Sequence, residues 1–208
     1  MNKSLYDIIE EKSKNFNILG IAGSLQDDSS STKILKIILE KARKNGNYTN
    51  IIDLKETRLP LFNPNKPRDK TDEIEMVTKE VINADAFILA TPDYHGSMSG
   101  TLKNFLDYFW KEFSGKTFGY IISSHEKGLT VLDQMRTVVR QCYGWSVPYG
   151  VSINSSQDFD IDGKISNNKL EKRIESLARD IFTYGILIRS QFLDDINNKE
   201  ENTYAFQY

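Results

Sequence analysis

The 208-residue sequence contains a single cysteine, Cys142, and only two histidines. One cysteine cannot close an internal disulfide or supply the ligands of an iron–sulfur or zinc cluster, and two histidines alone make a poor metal site. The sequence therefore predicts no metal centre, and this cysteine usage fits the reducing cytoplasm. We interpret Cys142 as a core thiol, because it continues the apolar spacing of its predicted helix.

The chain also lacks an excess of charge and a long apolar run. It has 27 Lys plus Arg against 29 Asp plus Glu, so its net charge of -2 gives no reason to expect a nucleic-acid or anionic-membrane partner. No apolar stretch approaches the length of a membrane span, and residues 1–11 lack the cationic start and apolar run of a signal peptide. We expect a soluble, untargeted protein.

Short apolar runs alternate along the chain with amphipathic segments. The length and the 39% hydrophobic content predict a single domain over residues 1–208, with a core of about residues 16–190. The apolar runs predict strands and the spacing of three and four predicts helices. The predicted strands are 16–22, 48–54, 86–91, 118–123 and 146–153, and the predicted helices are 32–44, 71–83, 102–113, 129–143 and 168–189.

This alternation predicts an α/β fold of the flavodoxin-like type, a three-layer sandwich around a five-stranded parallel sheet. Strands that are buried on both faces and joined by amphipathic helices form parallel sheets with helices on both sides. In the strand order 2-1-3-4-5 the chain reverses direction between the first and third strands, which leaves a crevice between the loops that follow them. We expect a ligand to bind in that crevice.

The two ends of the chain lie outside this core. Residues 1–15 predict a short helix, and the tail from residue 191 to 208 carries four aromatic residues. Apolar groups on a terminal arm need a surface to pack on. The tail either covers its own domain or crosses to a partner subunit, and the sequence leaves both alternatives open.

A hydroxyl-rich segment, residues 23–32, follows the first strand and opens a helix; we call it the phosphate loop. Hydroxyl groups and free backbone N–H groups at a helix N-terminus suit a dianionic phosphate. The alternative is that these residues serve only as helix cap and turn. The segment has no G-x-G-x-x-G pattern and the chain has no Walker sequence, which excludes Rossmann dinucleotide and P-loop sites.

A second segment follows the third strand, residues 91–97, with the sequence Thr-Pro-Asp-Tyr-His-Gly-Ser; we call it the ring loop. Its proline and glycine predict a turn that exposes successive backbone amides, and its tyrosine offers an aromatic face. Such a loop suits a flat ring. A phosphate beside a flat ring indicates a mononucleotide such as FMN.

Both loops resemble the NADPH-dependent FMN reductase family. In that family T-P-E-Y-N-G-S-x-x-G-x-L-K-N-x-x-D follows the third strand, and this chain matches through Asp107, with Asp93 for Glu and His95 for Asn. The family also carries G-S-x-R-x-x-S after the first strand, matched here by Gly23, Ser24 and Ser29. The resemblance covers roughly residues 16 to 153.

The resemblance implies three groups of FMN-binding residues. The phosphate would be held by the first group and the flavin ring by the second, mostly through backbone, while the third would approach the other ring edge. The groups are Ser24, Gln26, Ser29, Ser31 and Thr32; Pro92, Asp93, Tyr94, His95, Gly96 and Ser97; and, from the loop 123–128, Ser124 and His125.

One departure concerns the phosphate loop. Gln26 occupies the position of the family's arginine and is followed by Asp27 and Asp28, so a charge-assisted contact to phosphate is missing. Either FMN binds more weakly than in relatives, or another cation, such as Lys33 or a partner's arginine, replaces it.

The resemblance implies an FMN-dependent NAD(P)H oxidoreductase that takes electrons from NADPH or NADH and reduces a small acceptor. The acceptor would be a quinone, free flavin, azo compound or metal ion, reduced with ping-pong kinetics, and the assembly a homodimer or homotetramer. No side chain is assigned as catalytic, although His125 is the position at which we expect a proton donor to a quinone. The alternatives are an FMN-binding electron carrier, which the small net charge disfavours, and a flavin-free interaction module.

Overall fold

Six β-strands alternate with five α-helices in the computed structural model, which describes residues 15–44, 46–66 and 71–207, without the side chains of residues 206 and 207. The helix predicted for residues 1–15 therefore lies almost wholly outside the described residues. The strands are β1 (Asn17–Ala22), β2 (Tyr48–Asp53), β3 (Ala86–Pro92), β4 (Thr117–Ser123), β5 (Trp145–Ser146) and β6 (Val151–Ile153). The helices are α1 (Ser30–Lys44), α2 (Asp72–Asn83), α3 (Gly100–Asp107), α4 (Leu129–Gln141) and α5 (Asn168–Asn198).

The strands form one parallel sheet in the order β2-β1-β3-β4-β5, which confirms the predicted order. The neighbouring strands β1 and β3 pair from Ile18 with Ala86 to Ala22 with Ala90. The carboxyl ends of β1 and β3 therefore finish side by side. The loops that follow them leave the same edge of the sheet.

The predicted fifth strand, residues 146–153, is wrong as one continuous strand. The structure divides it into β5, which pairs with the start of β4, and β6, which pairs with the end of β4. Pro148 lies between the two pieces and has no N–H group to donate to the sheet. The backbone leaves the sheet at this proline and returns to it at Val151.

Two apolar layers cover the sheet, one on each face. Helices α2, α3 and α4 pack on one face through residues such as Val77, Phe105 and Val131. Helices α1 and α5 pack on the other through residues such as Ile34 and Ile174. Within the described ranges, no helix is both long enough and apolar enough to cross a membrane.

The helix predicted for residues 102–113 ends earlier than its apolar spacing indicates. Helix α3 stops at Asp107 and a short 3-10 helix, Lys111–Phe113, follows. Phe113 still reaches the core, whereas Trp110 is 60% exposed. Cys142 caps α4 rather than lying inside it, and it is buried as predicted, so burial raises the pKa of its thiol.

The last helix is longer than predicted, because α5 runs to Asn198 rather than to residue 189. The chain then returns to its own domain. The indole Nε1 of Trp145 donates a hydrogen bond of 2.9 Å to the hydroxyl of Tyr204, and the rings of Tyr143 and Tyr204 stack. The tail thus packs on its own domain at Tyr204. The aromatic side chains of residues 206 and 208 lie outside the part of the chain that the structure describes.

Candidate functional site

The phosphate loop and the ring loop meet at Gly23. The Gly23 N–H donates to the carbonyl of Ala90 at 2.8 Å, and the Gly23 carbonyl accepts from Ser99 Oγ at 2.7 Å and from Thr101 Oγ1 at 2.6 Å. A Cβ atom at this position would come within 2.8 Å of Leu102 Cβ. The close approach therefore requires glycine, and it holds the two loops side by side.

Within the phosphate loop the serines hydrogen-bond to one another and to nearby backbone. Ser29 caps α1, since its hydroxyl accepts from the Thr32 N–H at 3.3 Å and its carbonyl from the Lys33 N–H at 2.9 Å. Its hydroxyl also lies 3.0 Å from the hydroxyl of Ser31, and Ser24 Oγ accepts from the Gln26 N–H at 3.2 Å. These contacts show the helix-cap role that the sequence left open.

The same arrangement offers the donors that a phosphate needs. The first-turn amides of an α-helix have no acceptors within the helix, and the helix dipole places partial positive charge there. The hydroxyls of Ser24, Ser29 and Ser31 surround this end of α1 on buried side chains. The donor set fits a phosphate group, and a helix cap and a phosphate site can share it.

Two exposed ion pairs flank this loop. Lys55 lies 2.5 Å from Asp27, and Lys33 lies 2.7 Å from Asp28. The hydrogen bond and charge of Lys55 lower the pKa of the Asp27 carboxyl, and Asp27 raises the pKa of Lys55 in return. Each of the two acidic side chains in the phosphate loop is therefore paired with a lysine. Lys33, which the sequence offered as a substitute for the missing arginine, is one of the two.

The ring loop forms a tight turn around His95 and Gly96. The Tyr94 N–H donates to the Ser97 carbonyl at 2.9 Å, and the Ser97 N–H donates to the Tyr94 carbonyl at 3.1 Å. His95 and Gly96 have φ angles of 58° and 76°, which is the pattern of a type I′ turn. Glycine adopts this conformation freely, and histidine is among the residues that tolerate it best.

Asp93 ties the ring loop to the loop after β4. Its carboxylate accepts from the Gly96 N–H at 2.8 Å and from Ser124 Oγ at 2.9 Å. Its own N–H donates to the carbonyl of Ser123 at 2.8 Å. The aspartate that stands where the family motif has glutamate thus joins two of the predicted site segments.

Gln134, on α4, holds the ring loop from the opposite side and was missed by the sequence reasoning. Its Oε1 accepts from Ser97 Oγ at 2.9 Å and from the Met98 N–H at 3.3 Å, while its Nε2 donates to the Gly96 carbonyl at 3.3 Å. No motif marks this glutamine, which lies on an exposed helix face like any other polar residue.

A cleft of about 790 Å³ lies between the ring loop and the loop after β4. Both histidines line it, together with Asp93, Ser124 and Lys127. The second missed residue, Asn154, supports one wall, because its Nδ2 donates to the His125 carbonyl at 2.9 Å. No three His, Cys, Asp or Glu side chains within the described ranges are grouped as metal ligands would be.

The remaining predicted residues lie around these contacts. Pro92 is buried at the end of β3, and Thr32 lies in the first turn of α1. Gln26 is exposed in the phosphate loop, and Tyr94 is 45% exposed beside the cleft. The structure thus brings the predicted residues to one edge of the sheet, in two neighbouring groups.

This fold is shared with solved flavoenzymes, which places the protein in the flavodoxin-like class. The flavoenzyme NAD(P)H:(acceptor) oxidoreductase FerB of Paracoccus denitrificans superposes with a TM-score of 0.69, at 19% identity over 83% of this chain and 97% of that one. The apo form of the NADH:FMN oxidoreductase EMOB superposes with a TM-score of 0.67, at 20% identity over 83% of this chain and 89% of that one.

Sequence similarity identifies the family. The model of the NADPH-dependent FMN reductase family matches residues 16–158. An FMN-dependent NADPH-azoreductase of Staphylococcus aureus is 32% identical over 146 residues, which are 65% of this chain and 76% of the relative. The chain belongs to the NADPH-dependent FMN reductase family and is an FMN-dependent NAD(P)H oxidoreductase. The predicted family, enzyme class and cofactors are confirmed.

Proposed function

We propose that this protein holds FMN across the two loops joined at Gly23 and reduces a small acceptor in a ping-pong cycle. The observation that carries the proposal is the set of hydrogen bonds from Ser99 and Thr101 to the Gly23 carbonyl. They hold the loop that leads into α1, whose N-terminus offers donors to a phosphate, beside a turn suited to a flat ring. A single mononucleotide fits both ends at once.

The phosphate would lie at the N-terminus of α1. Ser24, Ser29 and Ser31 supply hydroxyls there, and the amides around Thr32 supply N–H donors. Gln26 would contact the phosphate as a neutral donor in place of the family's arginine. Since a hydrogen bond to a charged group contributes roughly 1.5–3 kcal/mol and this one lacks the second charge, we expect weaker FMN binding than in relatives with arginine.

The flavin ring would lie against the ring loop. Backbone groups of Pro92, His95 and Gly96 would face it, with Asp93, Tyr94 and Ser97 holding the shape of the turn and Ser124 and His125 at the opposite edge. The chemistry that FMN supplies when bound is acceptance of a hydride from the nicotinamide and its delivery to the acceptor. The task of the chain is to position both rings and to present hydrogen-bond donors.

His125 would give a proton to a reduced quinone. Its imidazole lines the 790 Å³ cleft, and Asn154 holds its backbone carbonyl. A His125→Ala variant should slow the acceptor half-reaction with a quinone and leave reduction by NADPH unchanged. An unchanged acceptor half-reaction would remove this role.

The acceptor class follows from similarity and stays a proposal. The name of the azoreductase relative favours an azo compound, while quinones, free flavins and metal ions are further candidates. We also propose a cytoplasmic location and a homodimer or homotetramer, in keeping with the single buried cysteine and with the prevalence of symmetric assemblies.

An anaerobic spectral titration with NADPH and then NADH, followed by a panel of acceptors, tests the function. We expect a yellow protein that either donor bleaches and that an acceptor reoxidises. A yellow protein that neither donor bleaches would indicate an electron carrier. A protein that stays colourless when mixed with FMN would indicate a flavin-free module and contradict the proposal.

A further inference from the structure

A second cleft, of about 320 Å³, lies on the face of the sheet opposite to α1. It lies between that loop, the segment after β2 and the start of α3. Its walls include Leu25, Leu54, Lys55, Arg58, Leu59 and Thr101. None of these residues is predicted to contact FMN, although Thr101 also holds the Gly23 carbonyl, so the cleft has no assigned ligand.

One wall of this cleft is apolar. Leu54 is part of the core beneath α2, α3 and α4, and Leu59 packs against the same core. Leu25 leaves more than half of its side chain in solvent. Three leucines around a small recess offer dispersion contacts to a flat apolar group, and an exposed leucine at the rim gains most from being covered.

The backbone of the second cleft is fixed from α3. Asn104 donates through Nδ2 to the Pro60 carbonyl at 2.9 Å and accepts through Oδ1 from the Phe62 N–H at 2.8 Å. The hydroxyl of Tyr108 donates to the same Pro60 carbonyl at 2.8 Å. The segment that carries Arg58 and Leu59 is therefore held in shape without a ligand.

The two cationic side chains at the rim of the second cleft differ in whether they already have an ion-pair partner. Lys55 is paired with Asp27 at 2.5 Å and lies 3.6 Å from Glu56. Arg58 is exposed, and the part of the chain that the structure describes gives it no ion pair. The guanidinium of Arg58 is thus the cationic group of the cleft that can take a ligand's carboxylate or sulfonate, for which its planar donors are well suited.

We propose that this cleft binds a small aromatic acid, with its ring against the leucines and its carboxylate or sulfonate on Arg58. The volume is at the lower end of ligand pockets, roughly 300–1,000 Å³, which suits a single ring rather than a whole dinucleotide. The inference goes beyond the proposed function, because the cleft lies outside the residues predicted to hold the flavin ring. A phosphate of the nicotinamide donor is the competing source of an anion.

Calorimetric titration of the FMN-saturated protein tests this binding without turnover. The probes are benzenesulfonate, its neutral analogue benzenesulfonamide, and inorganic phosphate. We expect benzenesulfonate to bind, and the other two to bind at least about tenfold more weakly, because each lacks one of the two required features.

Three variants separate the contributions. Arg58→Gln should weaken benzenesulfonate binding about tenfold, whereas Arg140→Gln, a matched control at an exposed position on α4, should leave it unchanged. Asp27→Asn should strengthen binding severalfold, because it releases Lys55 toward the cleft. A gain of affinity cannot come from a damaged fold, and melting curves identify any variant that is destabilised.

The outcomes divide clearly. Absence of benzenesulfonate binding, or binding that Arg58→Gln does not weaken, overturns the proposal. Phosphate binding as tight as benzenesulfonate binding also overturns it, and indicates the donor's phosphate instead. Because the titration involves no electron transfer, Arg58-dependent binding by a protein that reduces no acceptor would keep the cleft and refute only the proposed function.

Discussion

Side chains hydrogen-bond to backbone groups at both edges of the sheet, but the contacts have different consequences. At the carboxyl edge, the side chains of Asp93, Gln134 and Ser99 hydrogen-bond to loop backbone and leave a cleft open between them. At the amino edge, the buried Lys116 donates through Nζ to the carbonyls of Val81 and Ile82 at 2.8 and 3.0 Å. Those carbonyls belong to the last turn of α2, so this contact closes a helix end and presents nothing to a ligand.

The amino edge also carries an electrostatic cost. Burial, aided by the charge of Arg189, lowers the pKa of Lys116 to about 7. Asp85 lies 3.4 Å from Arg189 and favours the charged forms of both cations. From this comparison we expect carboxyl-edge contacts to affect ligand binding and amino-edge contacts to affect stability, and each variant below tests that expectation.

Asp93→Ala should have the largest effect, a loss of FMN affinity of about 30-fold, because the Gly96 N–H and the Ser124 hydroxyl both lose their acceptor. Fluorescence titration of the apoprotein with FMN measures it. Asp93→Asn is the matched control, since an amide can accept from Gly96 and donate to Ser124. Equal losses in the two variants would show that charge, rather than geometry, is what matters at this position.

Gln134→Leu should weaken FMN binding about tenfold, because the ring loop loses three hydrogen bonds but keeps its turn. Gln141→Leu, at the exposed end of the same helix, should leave FMN affinity unchanged. Neither variant should lower the melting temperature appreciably. A Gln134→Leu protein that melts much earlier, with unaltered FMN affinity, would place this glutamine among the stability contacts.

Lys116→Met should remove a pH dependence of stability. In the unfolded chain the lysine pKa is about 10.4, so between pH 7 and that value the unfolded state binds the proton that the folded state has lost. The free energy of unfolding should therefore rise with pH in this window, by at most about 1.4 kcal/mol per pH unit. Below about pH 7 both states are protonated and the burial penalty is complete.

Urea unfolding of the two proteins at pH 7.0, 7.5, 8.0 and 8.5 measures that slope. We expect the free energy of unfolding to rise with pH in the wild type and to rise less in Lys116→Met. The two proteins should bind FMN with the same affinity. Identical slopes would mean that another group titrates in this window. A loss of FMN affinity would mean that the amino edge reaches the site.

The sequence was sufficient to predict that the phosphate loop and the ring loop lie side by side. Two loops with distinct composition follow strands 1 and 3, and the predicted strand order makes those strands neighbours. Glycine at position 23 and the serines of the phosphate loop are local signals, since they act within a few residues of where they stand. This is why the meeting of the two loops could be predicted before any contact was known.

The missed features depend on contacts between distant parts of the chain. Gln134 reaches residues about 36 positions away from an ordinary polar helix face, which no local pattern marks. The apolar spacing after Asp107 continues although the helix does not, because Phe113 reaches the core from a 3-10 turn. Pro148 divides the last strand through its missing N–H group, which an apolar run alone does not reveal.

The smallest expected effect concerns the turn at His95, where the family motif has asparagine. A φ of 58° is more favourable for asparagine than for most residues, so His95→Asn should stabilise the ring loop by a few tenths of a kcal/mol and keep FMN affinity within about twofold. His95→Val should weaken FMN binding about fivefold, because β-branched residues are strained at positive φ. If His95→Asn also weakens binding, the imidazole itself contacts the cofactor, and the carboxyl edge recognises FMN through side chains as well as through the backbone it holds in place.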